Sequence, residues 1–128
     1  MGSALGIHTE QEGGTHTLVL TGELDIASAP ALEAKVHQIC SEAPSGLVLD
    51  LSRLEFIDSS GLNAILRIRA LCQEQMCEFC LTPGDRPVQH LFEITRLIDK
   101  LPFRRSRHQH PEDSPMPASD PDPETPPG

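Results

Sequence analysis

The chain alternates between short apolar runs and longer stretches in which apolar residues return every three or four positions. Thr15-His16-Thr17-Leu18-Val19-Leu20 reads as a strand, and Leu5-Gly6-Ile7-His8-Thr9 reads as another before it. Glu10-Gln11-Glu12-Gly13-Gly14 separates them, and its glycine pair marks a turn, so an opening hairpin is expected. After Asp25, Ser28 is placed to cap a helix, Pro30 suits a first helical turn, and Leu32, Val36, Ile39, Cys40 and Ala43 recur at helical spacing. This predicts a first helix over roughly residues 28 to 43.

Pro44-Ser45-Gly46 breaks that pattern, and Leu47-Val48-Leu49-Asp50-Leu51 is almost continuously apolar, as expected of a central strand covered on both faces. A further apolar strand pattern ends at Phe56-Ile57, where Asp58-Ser59-Ser60-Gly61 leads into a helix from Ser60 to about Gln73. Leu62, Ile65, Leu66, Arg69 and Cys72 mark one side of that helix. Met76-Cys77-Glu78-Phe79-Cys80-Leu81 reads as the next strand. Thr82 to Pro87 is turn chemistry before a third helix with Val88, Leu91, Phe92 and Thr95 on its inner side, and Leu101-Pro102-Phe103 suggests a short last strand. Strands alternating with helices of about ten to fifteen residues predict an α/β layer structure, its sheet partly parallel with antiparallel pairing from the hairpin.

Composition divides the chain in two. Seven of the twelve prolines and almost no apolar residues lie in the segment 104–128, which is expected to be a disordered, Pro-rich acidic tail following one foldable domain at 1–103. The net charge is −9, with seven basic and fourteen acidic residues in the domain. An acidic body without Trp or Tyr, its four Phe spaced as core residues, argues against nucleic acid as partner. No apolar run approaches the roughly 18 residues of a membrane span, so a soluble, cytoplasmic protein without membrane insertion is expected. Cys40, Cys72, Cys77 and Cys80 are expected as small buried hydrophobes. Cys77 and Cys80 are spaced as C-x-x-C, but residues three apart on a strand point to opposite faces, and the nearest histidine pair that could complete a zinc site, His108 and His110, lies in the expected tail, so no metal is expected.

The strand-to-helix junction at Asp58-Ser59-Ser60-Gly61 concentrates the candidate chemistry. The first turn of a helix presents unpaired N–H groups and the positive end of the dipole, so a serine here serves structurally as N-cap. Three functional readings stand beside that one. A hydrolase nucleophile elbow lacks its leading glycine, since Ile57 stands there, and no histidine shows the signature of a base. A phosphate-binding loop lacks its glycine-rich motif, and Asp58 repels a phosphate held there. The third reading is a serine phosphorylated by another protein, where the added charge of about −1.5 to −2 acts as a binding switch.

Thr21-Gly22-Glu23-Leu24-Asp25, Leu47-Val48-Leu49-Asp50-Leu51, Phe56-Ile57-Asp58-Ser59-Ser60-Gly61-Leu62 and Val88-Gln89-His90-Leu91-Phe92-Glu93-Ile94-Thr95 together resemble the STAS domains of bacterial anti-sigma factor antagonists, over about residues 5 to 103. The resemblance implies an α/β fold, a mixed four- to five-stranded sheet with helices mainly on one face. It also implies partner switching: the unphosphorylated antagonist binds an anti-sigma factor that is also a serine kinase, phosphorylation breaks the complex, and a serine phosphatase restores it. By the same resemblance Ser59 matches the phosphoacceptor, while Asp58 and Asp25 match acids at the partner surface. Ser60 is then expected to be the helix cap within the same partner-binding surface, and Gly61 to let the partner's backbone approach. ATP belongs to the partner, so no cofactor and no catalytic residue is expected in this chain. The alternative is a STAS interaction subunit of a transporter or signalling complex without a phosphorylation cycle. Two departures from the family pattern are visible. Arg96 follows Thr95 where a glycine is common, and Arg-rich then Pro-rich sequence follows Phe103 where a further amphipathic helix is usual.

Overall fold

The computed structural model describes residues 4–104; the expected tail therefore lies outside the described residues, apart from Arg104. The elements run β1 (Gly6–Glu12), β2 (Thr15–Leu24), α1 (Ala29–Cys40), β3 (Gly46–Asp50), β4 (Leu54–Ile57), α2 (Ser59–Glu74), β5 (Glu78–Thr82) and α3 (Arg86–Ile94). β1 and β2 form the antiparallel hairpin, with Glu12 opposite Thr15, so the turn is only Gly13-Gly14 and both strands extend further than their apolar runs suggest. The sheet order is β1-β2-β3-β5, with β4 also paired to β2, and every pairing beyond the hairpin is parallel. The expected last strand is reduced to a single parallel bridge between Leu81 and Phe103.

β2 organises the sheet because it is long enough to hold two parallel partners in succession. Its first half pairs with β3 from Thr15 to Val19 and its last residues pair with β4 from Gly22 to Leu24. Strict alternation places Leu18, Leu20 and Leu24 on the face that meets the helices, and all three are fully buried. They pack with Leu47 and Leu49 of β3, Leu32 and Val36 of α1, and Ile65 and Ile68 of α2 in one continuous core. Each such leucine, taken from water to full burial, contributes about 1.5–3 kcal/mol before chain entropy is subtracted. Val48 points away from that layer and is nonetheless buried, as expected of a strand with neighbours on both sides.

α1 and α2 lie side by side, tied by a bidentate pair in which Arg67 Nε donates to Glu33 Oε1 at 3.0 Å and Nη2 to Oε2 at 2.6 Å. That hydrogen bond holds the Glu33 carboxyl below its ordinary range, against a smaller opposing effect of burial. Ile68 faces the core, while Arg69, expected on the inner side, is only half-buried. In α3, Val88 and Phe92 are buried, and Phe92 meets Phe103 edge to face at 5.0 Å. Thr95, also expected inward, is exposed; the helix ends at Ile94, and the Thr95 hydroxyl turns back to donate to the Leu91 carbonyl at 2.7 Å.

Three thiols meet where α1 and α2 finish and β5 begins. Cys40, Cys72 and Cys77 are all buried, and burial pushes all three thiols above their usual range, so they pack as small apolar groups. Cys80 is only half-buried, with Arg104 Nη1 3.8 Å from its sulfur. The Cys72–Cys77 contact belongs to the end of α2. Cys77 N–H donates to the Cys72 carbonyl, Met76 N–H to that of Gln73, and Met76 adopts φ 56°, the arrangement of a Schellman cap. The end of α3 repeats it, with Leu97 N–H bonded to Phe92 and Arg96 at φ 62°. Arg96 thus takes the left-handed conformation for which a glycine is common at this place in the family pattern.

Met76 is 92% exposed, so its side chain contributes little packing to offset that left-handed backbone. Met76→Gly is therefore expected to raise stability by about 0.5–1 kcal/mol in urea unfolding, the relief exceeding the entropy that glycine adds to the unfolded chain.

Candidate functional site at the start of the second helix

The parallel strands β2 and β4 end side by side, with Glu23 opposite Phe56 and Leu24 opposite Ile57. Between Gly22 and Glu23 the register slips, since Gly22 pairs with Leu54 and Glu23 with Phe56, leaving Glu55 as an extra residue. Gly22 adopts φ 80° at this bulge, a conformation that suits glycine. The slip resolves an apparent conflict in the sequence. Leu54 and Ile57 are three apart, yet both are buried, because the inserted residue restores the phase between them. Ile57 then faces inward and Phe56 outward, 46% exposed rather than the core residue expected of it.

Asp58 follows with extended backbone and caps α2. Its Oδ1 accepts from the Gly61 N–H at 3.0 Å, and its carbonyl accepts from the Leu62 N–H at 3.0 Å. An acid is favoured here twice over, as an acceptor for an unpaired first-turn N–H and as a charge at the positive end of the helix. Ser60, expected as the cap, is instead the second residue of the helix, because α2 begins one residue earlier than the sequence suggests. Ser59 is its first residue and is exposed, with no hydrogen bond from its hydroxyl among the described residues.

Gly61 is buried, and its missing side chain serves the chain's own packing. A Cβ at Gly61 would lie 2.6 Å from the Leu24 carbonyl oxygen, 2.8 Å from Leu24 Cγ and 2.9 Å from Ile57 Cγ1. The first turn of α2 therefore rests directly on the ends of β2 and β4, a geometry different from the partner-facing role expected of Gly61. The Asp58 N–H donating to the Leu24 carbonyl at 3.2 Å joins the same two strand ends.

Asp25 lies on the neighbouring turn, beside Asp58, and is half-buried. Its Oδ1 accepts from the backbone N–H groups of Ala27, at 3.1 Å, and Ser28, at 3.0 Å, and its carbonyl accepts from Ala29 at 2.8 Å. Ser28 stands at the N-cap of α1 without making a side-chain capping bond. Its hydroxyl accepts from the Asp25 N–H at 2.9 Å and reaches the Glu23 carbonyl at 2.9 Å and Asp25 Oδ1 at 3.1 Å. The loop is therefore pinned on both sides of Ile26. Sequence reasoning missed this tie; the signal was the Asp25–Ser28 spacing, which fits an Asx turn as well as a simple cap.

The site thus gathers Asp25, Asp58, Ser59 and Ser60 at one pole, with Gly61 beneath them. It offers an exposed serine at the first position of the helix, directly after the capping acid Asp58. Among the described residues no group of three or more His, Cys, Asp or Glu is arranged to hold a metal ion, and no helix is long and apolar enough to cross a membrane.

Asp58→Ala is expected to cost about 1 kcal/mol in thermal or urea unfolding, the loss of one charged cap. Gly61→Ala is expected to cost more, on the order of 2–3 kcal/mol, because the added methyl meets backbone oxygen and two packed side chains together. A Gly61→Ala chain as stable as the parent would contradict this packing.

A family model described as STAS domain matches residues 6–110. The anti-sigma-B factor antagonist of Staphylococcus aureus is 29% identical over 98 residues, which cover 76% of this chain and 90% of that protein. The crystal structure of an anti-sigma factor antagonist from Mycobacterium paratuberculosis superposes with a TM-score of 0.70 at 26% identity, covering 78% of this chain and 85% of that one. SpoIIAA of Bacillus in its unphosphorylated form gives 0.69 at 21% identity over 80% and 90% of the two chains, and a structure of its phosphorylated form also matches. With the hairpin, the bulged β2–β4 end and the capped α2 in place, the chain belongs to the STAS domain family, among relatives that are anti-sigma factor antagonists.

Proposed function

We propose that this protein is an anti-sigma factor antagonist whose state is set by Ser59. Unphosphorylated, it binds an anti-sigma factor that is also a serine kinase, and thereby frees a sigma factor for transcription. Phosphorylation of Ser59 ends that binding, and a serine phosphatase restores it. The protein acts by binding, and the ATP chemistry belongs to its partner.

The observation that carries this reading is the division of labour at the junction. Asp58 is committed to the cap through Oδ1, whereas the adjacent Ser59 hydroxyl is exposed and unbonded among the described residues, open to a kinase. A phosphate there adds about −1.5 to −2 charge beside Asp58 and Asp25. The helix dipole offsets part of that repulsion, typically 0.3–1 kcal/mol, so the fold tolerates the phosphate. A partner surface fitted to a neutral hydroxyl receives no such compensation. The relative SpoIIAA, known in both unphosphorylated and phosphorylated forms, lends support to the same cycle here.

Titration calorimetry with a serine-kinase anti-sigma factor from the same genome tests the reading. Ser59→Asp is expected to weaken binding at least tenfold while leaving the thermal midpoint within about 2 °C of the parent, and Ser60→Ala to bind as the parent does. Undiminished binding by Ser59→Asp would count against Ser59 as the switch.

A further inference from the structure

Among the described residues, four large apolar side chains are prominently exposed: Ile26 at 76%, Phe56 at 46%, Met76 at 92% and Ile94 at 62%. Single exposed apolar residues are ordinary on protein surfaces. Ile26 and Phe56 differ from the others in their placement. Phe56 stands on β4 three residues before Ser59, and Ile26 lies just beyond the strand end that pairs with Ile57. Met76 lies past the opposite end of α2, a helix of 16 residues and so about 24 Å long.

Their presentation is also rigid. Ile26 sits inside the Asp25 turn, where the Ala27 and Ser28 N–H groups bond to Asp25 Oδ1 and the Ser28 hydroxyl ties back to Glu23. Phe56 is turned outward by the bulge and by the inward seating of Ile57 against Gly61. A backbone held in this way sets where each side chain is presented, so no loop has to be ordered on binding, which favours an interface anchor. Charge defines the rim. The segments 20–30 and 54–66 carry Glu23, Asp25, Glu55 and Asp58 and contain no Lys or Arg.

We propose that Ile26 and Phe56 are the apolar anchors of the surface that receives the protein partner, with Glu23, Asp25 and Asp58 as its acidic rim. The occupant is the anti-sigma factor kinase, presenting an apolar recess bordered by Arg and Lys; this rests on the function proposed above. Affinity then comes from Ile26 and Phe56, while Ser59 decides whether the complex forms. A phosphate adds charge at the edge of an apolar contact, where desolvating it is costly.

The test is calorimetry with the same purified kinase, using the full chain and the variants Ile26→Asp, Ile26→Ser, Phe56→Asp and Phe56→Thr, with Met76→Asp as control. Each Ile26 and Phe56 variant is expected to weaken binding at least tenfold, and Met76→Asp less than twofold. Circular dichroism melts identify any variant that fails to fold, and the milder substitution at the same residue then decides. If the parent binds and Ser59→Asp does not, yet both anchor positions tolerate substitution, the anchors are wrong and the switch stands. If the parent itself neither binds nor becomes phosphorylated, the proposed function fails and the anchor proposal fails with it. Parent-like binding by folded Ile26→Ser and Phe56→Thr is the result that overturns the proposal.

Discussion

The seating of the first turn of α2 on the ends of β2 and β4 is the constraint on which the rest depends. Gly61 allows the helix to approach the Leu24 carbonyl to a distance that no Cβ could share. Asp58 fixes the direction of approach by capping the same glycine's N–H. Once both are in place, Ser59 has only one position available, at the exposed first residue of the helix. The register slip opposite Gly22 supplies the remaining condition, since without the extra residue Glu55 either Leu54 or Ile57 would face away from the core.

The same arrangement separates the buried framework from the exposed groups of the proposed switch. Leu24, Ile57 and Gly61 are buried and face the core, whereas Ser59 and Phe56 are exposed. Asp25 and Asp58 stand between these groups, each using one carboxylate oxygen to order its own turn. A charge added at Ser59 therefore acts on the outside of a framework already held from within. The other pole is built differently, from buried thiols and a Schellman cap at the end of α2.

Much of this was legible in the sequence, and the exceptions have identifiable causes. Leu47-Val48-Leu49 announces a central strand because a continuous apolar run suits a strand buried on both faces, and β3, paired between β2 and β5, is buried from Gly46 to Leu49. The helices were placed by their apolar spacing to within a few residues. The cap was misassigned because Asp58, Ser59 and Ser60 are all favourable N-caps; what selects Asp58 is the tertiary fit of Gly61 three residues on, which local preference does not contain. Phe56 reads as core from the sequence because aromatic residues usually are, while the bulge that turns it outward becomes visible only in the pairing with β2. Thr95 reads as inward-facing only when the periodicity is continued one residue past the end of its helix.

The central claim is that the exposed first hydroxyl of α2, and not its neighbour, is the group on which the protein's state turns. The most direct measurement is site-resolved mass spectrometry after incubation with the serine-kinase anti-sigma factor and ATP, on the parent, Ser59→Ala and Ser60→Ala. The account predicts a single phosphate on Ser59 in the parent and in Ser60→Ala, and none in Ser59→Ala. Phosphate on Ser60, or undiminished incorporation by Ser59→Ala, would contradict it.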